Sequence, residues 1–340
     1  MQRCDAQSAA QLHVPIEEAS SVAEARRQAA AIGRSLGFDE AAGGALALGV
    51  TEAASNIVKH AGRGDMLLRA VGINGARGIE VLALDAGPGI ANLSESLRDG
   101  HSTAGSPGTG LGTLSRMTRG LEIYSRPGKG TALRFVLWPR DAQAQRAALG
   151  VVCLPKPGET ACGDGWAVTE QAERRVMFVV DGLGHGPDAA AAARSAIATA
   201  LAQAARAPAE IIAAVDAALR ATRGAAAGVA VTETGSDFCT FCGVGNISAV
   251  IYAEGSGRSM VSHNGTLGHQ VRKIQEFRYP LAPGALCVMH TDGLGTRWAL
   301  DAYPGLAQRH PALIAALLYR DFARGRDDVT VLAARHESPP

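Results

Sequence analysis

Aromatic side chains are scarce: Phe, Tyr and Trp make up 4% of the 340 residues, against 41 glycines and abundant alanine. Such a composition suits tight turns, Gly-rich loops and Ala-rich helices. Neither sign of charge is in excess. Lys plus Arg number 33 and Asp plus Glu 32, a net charge of +1, which argues against a broad electrostatic surface for nucleic acid. Long apolar runs are missing as well. The N-terminal MQRCDAQSAAQLHVPIEEAS lacks an apolar stretch of about 7–15 residues, so it reads as no secretory signal. The longest apolar tract, 189–205, is mostly Ala and is broken by Arg194 and Gln203. It is too weakly hydrophobic for a bilayer that needs about 20 apolar residues. A cytoplasmic chain with no membrane partner is expected. Six cysteines form no disulfide ladder, and the CxxC of Cys239 and Cys242 has no second pair and no nearby His. Packing, rather than metal or redox chemistry, is its expected role.

What the chain does have is enough length for two domains at about 100–200 residues each. Its 47% hydrophobic content argues against disorder. Helical spacing covers 21–36 and 41–60, and strands are expected at 66–73 and 78–85 around Asn74-Gly75. A loop-rich stretch, 86–109, precedes a helix at 111–118 and a hairpin of 121–125 with 131–138. The polar run 139–146 reads as a linker. Beyond it, strands are expected at 149–155, 166–170, 175–180, 227–232, 237–244, 249–253, 285–290 and 329–334, with helices at 187–205 and 208–223. Helices mixed with largely antiparallel sheets predict two α+β domains, 1–140 and 147–340.

Four pieces of the first half carry chemistry. Glu52, Asn56 and His60 lie four apart on one helix face. Asp85-Ala86-Gly87-Pro88-Gly89 follows a strand, Gly108-Thr109-Gly110-Leu111-Gly112 opens a helix, and Gly130-Thr131 begins the last strand. Singly these are weak, since Glu and Asn on a helix are usually solvated and DxGxG is usually a turn. A glycine-rich helix start favours phosphate through free N–H groups and the helix dipole. In this order the set resembles the GHKL (Bergerat) ATP-binding superfamily over about 15–138. Within it, the RDG-S-T-G run and YSRPGKGT are similar to the RsbT-type serine kinases of partner-switching systems, with the RsbW or SpoIIAB type of anti-sigma kinase as the alternative branch. The resemblance implies an α/β sandwich that binds ATP and Mg²⁺. Asn56 would hold Mg²⁺, and Glu52 would be the base that activates a hydroxyl. Asp85 would accept from the adenine amino group in a pocket shaped by Gly87 and Gly89. Gly108, Gly110 and Gly112 would line the triphosphate, and Thr131 would support the adenine end. His60 and Lys59 stay open between local structure and a nucleotide contact.

The second half places acids at strand ends beside glycine: Asp164 in CGDGW, Asp181 in VVDGLGHG, Asp292 in HTDGLG, and Asp327-Asp328 in RDDVT. One Asp-Gly is more often a turn than a ligand. Several carboxylates brought together repel one another, and hard divalent cations would resolve that repulsion. The order GD, DGxGHG, TDG, DDxT resembles the SpoIIE branch of metal-dependent type 2C protein phosphatases over about 148–335. The GVGN and NGTLG runs resemble the RsbX type. The resemblance implies a β-sandwich flanked by helices that holds two Mn²⁺ or Mg²⁺ ions. Asp181 would bridge them, with the Gly182 carbonyl, Asp292 and Asp327 as further ligands. Asp164 would be a ligand or an outer acid, and Asp328 would hold a metal-bound water. His185 is expected to be structural, and no phosphate-binding Arg is evident beyond Arg174 or Arg175. No CxxxxxR signature is present, so hydrolysis without a phospho-enzyme is implied.

A kinase-like and a phosphatase-like module together imply opposed activities on one Ser or Thr of a STAS-domain antagonist or scaffold protein. Two other readings stand. The first domain could bind ATP only to regulate the phosphatase, or the chain could sequester a sigma factor or another downstream regulator.

Overall fold

Buried apolar residues along the strands, and apolar stripes along the helices, build three hydrophobic clusters. The computed structural model describes residues 6–7, 11–73, 76–96, 110–139, 149–171 and 173–336. The chain divides into a unit of 9–146 and a unit of 147–340, the latter joined by the first residues. Strand β1 (Ala6–Gln7) pairs antiparallel with Ala167 and Val168. The second unit therefore includes a strand that precedes the first, a difference from the expected boundary at 1–140. Most of the expected linker, and Gly108 with the RDG-S-T-G run, lie outside the described residues.

The first unit runs β2 (Leu12–Ile16), α1 (Ala19–Ser35), α2 (Glu40–Asn56), a π-helical turn (Ile57–Ala61), β3 (Gly64–Ile73), β4 (Ala76–Asp85), α3 (Leu93–Ser96), α4 (Gly110–Met117), β5 (Arg119–Ser125) and β6 (Thr131–Leu137). Its antiparallel sheet has the order β2-β3-β4-β6-β5. Asp39 caps α2 by accepting from Ala42 N at 2.8 Å, which satisfies one of the free N–H groups of the first turn. The α2 stripe Leu46, Gly49, Val50, Ala53 and Ala54 is buried against Met66, Leu68, Val81, Leu133 and Phe135 of the sheet. The expected helix 41–60 does not stay α-helical. Beyond Asn56 it widens into the π turn, closed by Gly62 N on Ile57 O at 3.0 Å. By length and composition the stretch Glu40–Ala61 could cross a membrane, but its apolar stripe is spent on this core.

The second unit runs β7 (Leu149–Leu154), β8 (Asp164–Gln171), β9 (Arg174–Gly182), α5 (Pro187–Ala202), α6 (Pro208–Leu219), β10 (Ala225–Glu233), β11 (Phe238–Val244), β12 (Ser248–Ala253) and β13 (Ser256–Met260). Short strands β14 (Ser262–His263), β15 (Gly265–Thr266), β16 (Gln270–Val271) and β17 (Phe277–Pro280) follow, then β18 (Leu286–His290), α7 (Pro311–Phe322) and β19 (Val329–Arg335). One sheet has the order β1-β8-β9-β10-β11-β14, with β17 also on β11, and the other has β13-β12-β18-β19-β7. Their inner faces meet through Val151, Val168, Met177, Val179, Phe241, Ile251, Met289 and Leu332. Helices α5 and α6 cover the outside of the first sheet with Ala192, Ala193, Ala196, Ile211 and Val215. Small alanines allow that close approach, as the Ala-rich composition implied. Helix α7 was not expected. Every residue from Pro311 to Leu318 is buried, so the segment has no polar face to reveal its period.

Candidate nucleotide site and candidate metal centre

In the first unit Asp85 ends β4, and its Oδ1 accepts from Gly87 N at 2.8 Å and Thr131 N at 3.2 Å. Ser125, at the end of β5, completes this corner. Its hydroxyl accepts from Ile90 N at 2.8 Å, lies 2.9 Å from Thr131 Oγ1 and donates to Gly130 O at 3.1 Å. Gly89 has φ +71°, and a Cβ there would fall 2.0 Å from Arg126 O. Glycine is thus required by both conformation and close approach. The loop also rests on the π turn that follows α2, since a Cβ on Gly87 would stand 2.6 Å from the Cβ of Ala61.

Glu52 and Asn56 are half-buried on α2, and neither side chain has a hydrogen-bond partner among the described residues. Lys59 and His60 are exposed on the π turn. Helix α4, which carries Gly110 and Gly112, packs on α2. The structure therefore draws Asp85, Gly87, Gly89 and Thr131 into one bonded corner beside the helix of Glu52 and Asn56. Ser125 was missed. Its signal was its place in YSRPGKGT, opposite Thr131 in the β5–β6 register.

In the second unit four strand ends converge. Asp164 and Asp181 face each other across β8 and β9, and like charges so placed repel. Asp164 is buried, and Thr291 Oγ1 donates to its Oδ2 at 2.6 Å. The same hydroxyl accepts from Thr330 N at 2.9 Å. Asn246 Nδ2 donates to Asp181 Oδ2 at 3.2 Å and to Asp292 Oδ2 at 2.8 Å. The Asp328 oxygens accept from Lys156 N at 2.8 Å and Gly163 N at 3.0 Å, and Asp327 Oδ1 accepts from Asp328 N at 3.0 Å.

The electrostatics are those of an undercompensated anionic cluster. Burial, then Asp292, push the Asp181 carboxyl up to about 7 against the pull of Asn246, and Asp327 and Asp328 add to the rise. Burial and Asp181 push Asp164 well above the carboxylate range despite Thr291. Burial raises Asp328 against its two backbone donors. Among the described residues no group of three or more His, Cys, Asp or Glu side chains stands so that it could hold a metal ion. Instead one Asn246 amide bridges two carboxylates, where a cation would satisfy both.

Gly184, Gly186 and Gly245 of these loops have positive φ, whereas Gly293 serves packing. A Cβ on Gly293 would fall 1.9 Å from Asp328 O, which locks the TDG corner to the DDVT strand. Asn246, Thr291 and Thr330 were missed as site residues, although GVGN, TDG and DDxT contain them. Arg174 and Arg175 are not at this site. They start β9, whereas Asp181 is near its other end.

The fold and these two sites define the class: an antiparallel, helix-backed ATPase domain of GHKL type joined to a type 2C phosphatase sandwich. The histidine kinase-like ATPase domain family matches residues 15–137, and the Stage II sporulation protein E (SpoIIE) family matches residues 171–337. The serine/threonine-protein kinase RsbT of Bacillus subtilis (strain 168) is 30% identical over 119 residues, covering 35% of this chain and 90% of RsbT. Through its first domain the chain belongs to the RsbT family, and it fuses that domain to a SpoIIE-type phosphatase domain. Among solved structures, one described with the bacterial stressosome as a modular system adapted to control secondary messenger signalling is 28% identical. Its TM-score is 0.52, over 55% of this chain and 98% of that chain. RsbX in complex with magnesium is 22% identical with a TM-score of 0.49, over 54% of this chain and 93% of that chain. The chain is thus of the partner-switching class of signalling regulators.

Proposed function

We propose that the chain sets the phosphorylation level of one cytoplasmic partner, its first domain adding phosphate and its second removing it. The partner is a STAS-domain antagonist or scaffold protein, modified on Ser or Thr. The observation that carries this reading is the carboxylate cluster of Asp164, Asp181, Asp292 and Asp327, in a chain that also carries an RsbT-family domain. Phosphorylation adds about −1.5 to −2 charge and changes which partner docks.

The donor set suits Mn²⁺ or Mg²⁺. It offers hard oxygens whose mutual repulsion a divalent cation would relieve. Asp181, the Gly182 carbonyl, Asp292 and Asp327 would hold two such ions, with Asp164 held at the edge by Thr291. Bound there, the ions supply charge neutralisation and Lewis acidity for in-line attack of water on phosphorus. Asp328 fixes the backbone at Lys156 and Gly163 that frames the cluster. In the first domain Asp85 fits the adenine edge, and Asn56 fits an Mg²⁺ that accompanies ATP. Glu52 would orient the attacking hydroxyl, and phosphoryl transfer needs little beyond such positioning and charge neutralisation.

The test is the intact mass of a STAS-domain partner incubated with ATP, Mg²⁺ and Mn²⁺. Asp181→Ala should accumulate phosphoprotein. Glu52→Ala should add no phosphate yet strip a pre-phosphorylated partner. If no variant ever adds phosphate while wild type removes it, the first domain is an ATP-binding regulator instead. A stable complex with a sigma factor, without turnover, would favour sequestration.

A further inference from the structure

Four cysteines of the second unit form two close pairs. Cys239 on β11 and Cys287 on β18 meet in the interior between the sheets. They are 0% and 3% exposed, so an oxidant dissolved in water reaches neither sulfur. The other pair stands at the edge of that interior. Cys153 Sγ, on β7, lies 3.8 Å from Cys162 Sγ, in the segment 155–163 that leads into β8. Cys153 is buried, whereas Cys162 is half-buried and follows the exposed Pro157, Gly158 and Thr160.

The same segment frames the carboxylate cluster. Lys156 N and Gly163 N donate to the Asp328 oxygens at 2.8 and 3.0 Å. Gly163 O accepts from Gly182 N at 3.0 Å, and Asp164 follows. A Cβ on Gly163 would fall 2.7 Å from Asp328 Oδ2 and 2.8 Å from the Cβ of Ala189, so the chain has no slack beside Cys162. Cys153 is held in the ladder opposite Thr330, whose N–H donates to Thr291 Oγ1, the donor to Asp164. A disulfide bond is about 2.0 Å long. Closing the gap from 3.8 Å therefore draws Cys162 toward β7 and pulls on Gly163, whose two bonds reach Asp328 and Gly182. The contact with Cys153 and burial push the Cys162 thiol up. A protonated thiol reacts slowly, so a hydroperoxide in excess is the oxidant this pair requires.

We propose that Cys153 and Cys162 are a redox pair, which a hydroperoxide converts to a disulfide that weakens the cluster's hold on a divalent cation. Cys162 takes one oxygen from the hydroperoxide, giving a sulfenic acid and an alcohol, or water from hydrogen peroxide. The Cys153 sulfur then attacks the Cys162 sulfur, the S–S bond forms and water leaves. The two thiols lose two electrons and two protons, and the hydroperoxide gains them. The consequence for hydrolysis rests on reading the cluster as a phosphatase centre.

The test uses the full chain with Cys4→Ser, which removes the cysteine outside the described residues, treated with hydrogen peroxide and desalted. Its mass should fall by two hydrogens. Peptide mapping without reductant should join the Cys153 and Cys162 peptides, while Cys239, Cys242 and Cys287 remain open to alkylation after unfolding. Mn²⁺ affinity by calorimetry should fall by about 10- to 100-fold, the scale of losing a group that orients metal ligands. Dithiothreitol followed by desalting should restore it, and hydrolysis of p-nitrophenyl phosphate should fall and recover in step. Cys162→Ala should bind Mn²⁺ as the untreated protein does and ignore peroxide. The proposal is overturned if no Cys153–Cys162 link forms, if the link leaves Mn²⁺ affinity unchanged, or if the reduced protein binds no Mn²⁺. It is also overturned if peroxide weakens Cys162→Ala to the same extent, since the damage then lies elsewhere. If the link lowers Mn²⁺ affinity reversibly yet the reduced protein hydrolyses nothing, the phosphatase reading fails while the redox pair stands.

Discussion

Asp85 and Asp181 both stand at the ends of central antiparallel strands, and the two domains treat them in opposite ways. Asp85 is answered by the chain itself, through the N–H groups of Gly87 and Thr131. Asp181 faces Asp164 across the ladder and shares one Asn246 amide with Asp292. The first site is a corner of backbone and hydroxyl groups that leaves helix α2 free to present Glu52 and Asn56. The second is an excess of carboxylate whose charge its own donors do not balance. An acid that the fold has satisfied shapes a pocket; acids that the fold has crowded together call for a cation.

The contrast can be broken most forcefully at Asp181. Asp181→Asn should lower partner dephosphorylation by about a thousandfold or more, several kcal/mol of lost charge stabilisation, and leave ATP-dependent phosphorylation intact by intact-mass assay. Glu52→Ala should do the reverse, with phosphorylation falling by about 10²- to 10⁴-fold and hydrolysis of pre-phosphorylated partner unchanged. A variant that disabled both activities would show that the sites are not independent.

Asn246→Ala sharpens the comparison. In chelator it should lower Tm by about 2–6 °C, because two crowded, half-buried carboxylates lose their shared donor. Mn²⁺ should then raise Tm by more than it does for wild type, as read by scanning fluorimetry. A pH series gives the smallest effect. The folded-state value of the Asp181 carboxyl is raised to about 7, above its ordinary 3.8. Its contribution to stability is therefore full below about pH 4 and is lost as pH rises through about 7. Metal-free protein should melt lower at pH 8 than at pH 5, and the Mn²⁺-induced gain should be larger at pH 8. An equal Tm at both would mean that the cluster is compensated without metal.

Most strands and helices were legible as apolar runs or stripes bounded by turn residues. Strand β4 is a continuous buried run from Gly78 to Leu84, helix α2 shows a stripe at Leu46, Val50, Ala53 and Ala54, and the expected spans differ from the observed ones mainly at the ends. The exceptions have physical causes. Helix α7 is buried on all sides along Pro311–Leu318 and shows no period. The π turn after Asn56 is a local widening that α-helical spacing does not encode. Strand β1 pairs with residues about 160 positions away, beyond any local pattern. The Asp85 corner was legible in its glycines, since Gly89 answers a positive φ and a carbonyl 2.0 Å from where its Cβ would stand. Ser125 stands in YSRPGKGT, but its bonds to Ile90 N and Thr131 Oγ1 are made only by the fold.

By itself the sequence determined which residue types stand at the strand ends: Asp beside Gly at 164, 181 and 292, and glycines around Asp85. These are local features, fixed by a few consecutive residues. Only the tertiary structure decided what those side chains meet. It set Asn246 between acids 65 and 46 positions away and Thr291 on Asp164 across 127. Such contacts depend on strand register, and register is set by the burial of whole sheet faces rather than by any motif.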